Sequence, residues 1–118
     1  MTIEEAVVEV SVTSRPSGER TVVHVSGEVD VYTAPMLREE LAALIDAEHT
    51  DVVVDLAEVS FMDSTGLGVL VGALKKIRTL GGELRLVIDQ EKVLKVFRIT
   101  ALTQVFPIYA TLDEALKD

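Results

Sequence analysis

Val52-Val53-Val54-Asp55-Leu56 is an apolar run rich in β-branched residues, and the chain that follows it changes period. Leu67, Leu70, Val71, Leu74 and Ile77 recur at helical spacing. A strand apolar at consecutive positions, instead of alternate ones, is covered on both faces, and that calls for helices packed on a sheet with parallel pairs. The rest of the chain repeats the alternation. Val7 to Val12 reads as a first strand, Arg15-Pro16-Ser17-Gly18 as a turn, and Thr21 to Ser26 as the hairpin partner. Thr33 is placed to cap a helix over Ala34 to Asp46, with Pro35 in its first turn and Met36, Leu37, Leu41, Leu44 and Ile45 as its apolar stripe. A strand over Asp51 to Leu56 and a helix over Thr65 to Leu80 follow. Gly81-Gly82 then turns the chain into a strand near Leu84 to Ile88. A helix over Glu91 to Ile99, a short strand near Val105 to Ile108 and a last helix over Leu112 to Leu116 complete the order. The expected class is α/β: a mixed, mostly parallel sheet of about five strands with helices packed on it.

Composition narrows the function. The 118 residues suit one domain, 1–118, and the 48% hydrophobic content is ample for a core that must be aliphatic, since aromatics make up 4%. The absence of cysteine excludes disulfides, thiolate metal ligands and a thiol nucleophile. No apolar run reaches membrane-spanning length and no basic segment precedes an apolar one at the N-terminus, so a cytoplasmic protein is expected. A net charge of −9, spread along the chain, repels nucleic acid backbones and anionic membranes.

The run Phe61-Met62-Asp63-Ser64-Thr65-Gly66-Leu67-Gly68 lies where a strand hands over to a helix. Ser64 is thereby either an ordinary N-cap or a hydroxyl whose phosphorylated form a helix N-terminus accommodates. Gly66 and Gly68 are unfavourable in the first helical turns, and a second surface approaching the backbone beside Ser64 would account for them. The Gly27-Glu28-Val29-Asp30 turn follows the second strand and is expected on the same sheet edge, which puts Asp30 and Ser64 in one patch.

Competing chemistries fit poorly. A receiver domain lacks its acidic pair after Val7–Val12 and its lysine in Gln104-Val105-Phe106-Pro107, although Asp55 imitates an acceptor. A serine hydrolase lacks the first glycine of its elbow, since Met62 stands there, and His24 and His49 read as structural or solvated. Gly68, Gly72, Lys75 and Lys76 do not make a P-loop. Glu28, Asp30, Asp55 and Asp63 lack a ligand-dense loop, so no metal site is expected, and with the other motifs missing the chain is expected to be unfit for catalysis by itself.

Asp63-Ser64-Thr65-Gly66-Leu67-Gly68 resembles the signature of bacterial anti-sigma factor antagonists, single STAS domains. Gly27-Glu28-Val29-Asp30, Gly81-Gly82 and the late helix Lys92 to Thr100 resemble the family's other markers. Asp30-Val31-Tyr32-Thr33-Ala34-Pro35 with Leu37-Arg38 is similar to the stress- and differentiation-type members. The resemblance implies a STAS-like fold and a protein–protein switch. The unphosphorylated antagonist binds an anti-sigma factor, itself an ATP-dependent serine kinase, and frees the sigma factor. Phosphorylation at Ser64 inactivates it, and a metal-dependent serine phosphatase restores it. Asp30, Asp63, Ser64, Thr65, Gly66 and Gly68 would then contact the partner, with Asp30 facing it, and the free protein would be a monomer. The alternative is a STAS scaffold or small-ligand sensor that is never phosphorylated.

Overall fold

The computed structural model describes residues 10–117. Its elements in chain order are β1 (Val10–Ser17), β2 (Arg20–Val29), α1 (Ala34–Asp46), β3 (Asp51–Met62), α2 (Ser64–Thr79), β4 (Glu83–Val87), α3 (Glu91–Ile99), a 3₁₀ turn (Leu102–Gln104), β5 (Ile108–Tyr109) and α4 (Leu112–Leu116). One five-stranded sheet has the order β1-β2-β3-β4-β5. β1 and β2 form an antiparallel hairpin, and every later pair is parallel. The expected mixed, mostly parallel α/β architecture is therefore the one observed.

Helices α1, α2 and α3 cover one face of the sheet. Val23, Val52, Val54, Leu56, Leu84 and Leu86 meet Leu37, Leu41, Leu70, Leu74, Ile77, Val93 and Phe97 there. The opposite face is covered in part by α4, where Ala115 packs on Val22, Val53 and Val87. The run Val52-Val53-Val54 is wholly buried because its members alternate between these two layers. Each such valine contributes about 1.5–3 kcal/mol relative to an exposed position. Arg85 Nη1 donates to the carbonyls of Ala115 (2.7 Å) and Lys117 (2.6 Å), and Arg20 Nη1 to that of Leu116 (2.8 Å). These bonds hold the carbonyl end of α4, which a five-residue helix cannot satisfy internally.

Several boundaries differ from the sequence reading. The expected first strand falls partly outside the described residues; within them β1 runs on through Ser17, and the turn is made by Gly18 and Glu19. Pro16 is tolerated because β1 is an edge strand. β2 continues to Val29 and β3 to Met62, past the expected ends at Ser26 and Leu56. The last strand lies at Ile108–Tyr109, not Val105 to Ile108, because Val105 and Phe106 still turn back on the 3₁₀ segment, both N–H groups donating to the Leu102 carbonyl. Gly82 allows β4 to begin: a Cβ there would stand 2.1 Å from the Thr50 carbonyl oxygen. Gly72 faces open space, and Met36 is 43% exposed although it belongs to the predicted core stripe.

Candidate functional site

The extra lengths of β2 and β3 build the site. The two strands pair in parallel to their last residues, Glu28 with Phe61 and Val29 with Met62, and shift register twice on the way. The Asp63 N–H then donates to the Val29 carbonyl at 3.1 Å. Asp30 and Ser64 are each the next residue beyond that bond, so the two loops leave the same sheet edge side by side. The patch expected from topology forms in this way.

The helix cap is not Ser64. Asp63, in extended conformation, occupies the N-cap position, and its Oδ1 accepts from the N–H groups of Thr65 (2.9 Å) and Gly66 (3.2 Å). Helix α2 begins one residue earlier than expected, with Ser64 as its first member. A carboxylate here meets both the unpaired donors and the positive end of the helix dipole, so it caps more strongly than a hydroxyl. Ser64 is exposed, and its hydroxyl makes no hydrogen bond among the described residues. Thr65 is half-buried.

The two glycines have separate causes. Gly66 is buried, and a Cβ on it would lie 2.8 Å from Val29 Cγ1 and 2.9 Å from Met62 Cγ. Its small size lets α2 sit directly on the ends of β2 and β3, an internal reason that the sequence alone does not show. Gly68 is exposed, and a methyl group added there would meet no atom within 4 Å, so nothing inside the domain demands a glycine.

Asp30 is more than a side chain facing outward. Its Oδ1 accepts from the N–H groups of Tyr32 (2.9 Å) and Thr33 (3.0 Å), and its carbonyl accepts from Ala34 N–H at 2.8 Å. Thr33 does not cap α1 with its side chain; its hydroxyl accepts from the Asp30 N–H and donates to the Glu28 carbonyl at 2.8 Å. Burial works against ionisation of the Asp30 carboxyl, but the N–H bonds from Thr33 and Tyr32 outweigh it and hold the group below its ordinary range. Asp30 Oδ2 makes no bond among the described residues, which leaves it available.

His24 takes no part here. It lies on the uncovered stretch of the opposite sheet face, with Nδ1 3.1 Å from Asp55 Oδ2 and Nε2 accepting from Arg15 Nε at 3.2 Å. Asp55 Oδ1 meanwhile accepts from Ala57 N–H. Among the described residues no three His, Cys, Asp or Glu side chains converge as they would around a metal ion.

The profile of the STAS domain matches residues 8–115. The anti-sigma-B factor antagonist of Bacillus subtilis strain 168 is 44% identical over 88 residues, covering 75% of this chain and 80% of that protein. The chain belongs to the anti-sigma factor antagonists of the STAS family. This STAS domain is also 43% identical to the anti-sigma-B factor antagonist of Listeria monocytogenes over 86 residues, 73% of this chain and 75% of the relative. A crystal structure of an anti-sigma factor antagonist from Mycobacterium paratuberculosis superposes with a TM-score of 0.85 at 32% identity, covering 91% of each chain.

Three residues of this STAS domain escape a sequence reading as site candidates. Val31 is 57% exposed, Tyr32 87% and Phe61 45%. The first two directly follow Asp30, and Phe61 stands two residues before Asp63. The readable signal is an apolar pair, Val31-Tyr32, inside a strand-to-helix turn where neither period requires it.

Proposed function

We propose that this chain is a cytoplasmic, non-catalytic switch protein, one STAS domain over 1–118 and a monomer when free. In its unphosphorylated form it binds an anti-sigma factor and so releases a sigma factor for transcription. The bound anti-sigma factor is an ATP-dependent serine kinase that phosphorylates Ser64, and a metal-dependent serine phosphatase reverses the step. ATP and the metal belong to those partners, and the chain itself needs no cofactor. Asp30, Asp63, Ser64, Thr65 and Gly68 form the contact, with Val31, Tyr32 and Phe61 beside them; Gly66 supports it from beneath.

The observation that carries this reading is the division of labour between Asp63 and Ser64. With Asp63 as the cap, an exposed and unbonded hydroxyl at Ser64 has no structural duty. Its position, one residue beyond the Val29–Asp63 bond and beside the Asp30 loop, supports a role in recognition. Among the described residues no helix is long and apolar enough to cross a membrane.

A phosphate would bring about −1.5 to −2 charges to a surface that already carries Asp30 and Asp63. At ~6 Å from one partner carboxylate, with an effective dielectric near 20, each unit of charge opposes binding by ~3 kcal/mol before screening. A thousandfold loss of affinity needs only ~4 kcal/mol. The test is incubation with the cognate kinase and ATP, followed by intact mass and peptide mapping. One phosphate on Ser64, absent from Ser64→Ala, is expected. A protein that stays unmodified yet binds its partner would favour the scaffold or ligand-sensor reading, and phosphate on Thr65 would overturn the assignment.

A further inference from the structure

We infer that Asp63 keeps a phosphoryl group on Ser64 off the helix N-terminus and turned outward, an assignment that rests on reading Ser64 as the acceptor. An open helix start attracts phosphate, because its first N–H groups lack intrahelical partners and the dipole is positive there. In this chain the Thr65 and Gly66 donors of that place are taken. Asp63 Oδ1 already accepts from Thr65 and Gly66, and the Asp63 carbonyl accepts from Leu67 N–H at 3.1 Å. To reach the Thr65 and Gly66 donors, the phosphate would have to displace a carboxylate and then sit beside its charge.

The helix cannot make room by retreating. Gly66 is seated on Val29 and Met62 so closely that even a methyl group would collide, and Asp63 is itself tied to Val29 through its N–H. The remaining direction for a group on the exposed Ser64 is solvent. Two consequences follow. The charge added by phosphorylation is not offset by the Thr65 and Gly66 donors, so it acts on whatever approaches. The Asp63 carboxylate also opposes the second ionisation of the phosphoserine.

Phosphoserine placed at position 64 by genetic code expansion tests this without any kinase, so the outcome does not depend on whether a kinase for this chain exists. ³¹P NMR would follow the second ionisation, and amide NMR the Thr65 and Gly66 protons, through pH values of about 6. In the wild-type chain those amide protons should not follow the phosphate titration. In Asp63→Asn the phosphate midpoint should fall by about half a pH unit, the effect of removing one charge ~6 Å away in largely aqueous surroundings. Asparagine still caps, so this variant keeps the helix start, and the wild-type amide measurement stands without it. Strong downfield movement of the Thr65 and Gly66 protons at the phosphate midpoint, or an unchanged midpoint in Asp63→Asn, would overturn the inference.

Discussion

The Asp63 N–H donates to the Val29 carbonyl at 3.1 Å, and this bond closes the parallel pairing of β2 with β3 at the point where both chains turn away from the sheet. The side chains proposed for recognition lie within a few residues of it. Substitutions around that junction therefore separate what it needs for folding from what it offers to a partner.

Ser64→Ala should change stability by less than about 0.5 kcal/mol, since Ser64 is exposed and caps nothing. It should bind the anti-sigma factor and keep the sigma factor active. Ser64→Asp should melt at a similar temperature but bind far more weakly. Calorimetric binding beside thermal unfolding checks both, and equal tight binding would remove the electrostatic switch.

Asp63→Ala is the variant that should lose stability, by ~1 kcal/mol within a range of about 0.5–2, because two helix donors lose their acceptor. Asp63→Asn should recover most of the loss. Chemical denaturation of the three proteins measures it, and a neutral Asp63→Ala would mean that the cap is dispensable.

Gly66→Ala and Gly68→Ala should differ in sign. The first drives a methyl group into Val29 and Met62 and should cost about 1–3 kcal/mol. The second meets nothing within 4 Å and should gain up to ~1 kcal/mol from helix propensity. If Gly68→Ala also weakens partner binding while raising the melting temperature, its absent side chain serves the interface.

Asp30 couples loop structure to pH. Its folded-state carboxyl titrates below the unfolded one, so its contribution is present above the ordinary value near 3.8 and is lost as pH falls through the lower folded value. Asp30→Ala should therefore lower the melting temperature at pH 7 and remove part of the acid dependence. Asp30→Asn keeps an acceptor for Tyr32 and Thr33, so it should restore the loop more than it restores partner affinity. Identical acid unfolding curves for wild type and Asp30→Ala would make the loop bonds unimportant.

Tyr32→Ala should leave the melt within about 0.5 kcal/mol, as the ring is 87% exposed in the free domain. Its loss should weaken anti-sigma factor binding by more than ~1 kcal/mol if the ring is an interface anchor. Titration calorimetry reads this directly, and unchanged affinity would remove Tyr32 from the contact.

Much of this arrangement is legible in the sequence where local signals act alone. The bounds of α1, α3 and α4 follow from apolar period and breakers, and they agree with the structure. Strand ends are harder. Glu28, Val29 and the segment from Ala57 to Met62 belong to the ladder because each strand supplies the other's hydrogen bonds across two register shifts, a pairing no single segment encodes. The helix starts mislead in one direction: hydroxyls at Thr33 and Ser64 read as potential caps, whereas aspartates at 30 and 63 take the loop and helix N–H groups. The collision that explains Gly66 involves Val29, far away in sequence, so only the folded chain reveals it.

The seating of Gly66 on Val29 and Met62 also bears on how such a protein diversifies after gene duplication. Residues locked beneath the junction cannot drift without a cost in stability, whereas Val31 and Tyr32 stand largely in water and can be exchanged at little cost to the fold. Duplicated copies can therefore inherit the same exposed serine on the same rigid seat and acquire different partners by altering those few exposed side chains, so that separate circuits in one cell share a scaffold without sharing an address.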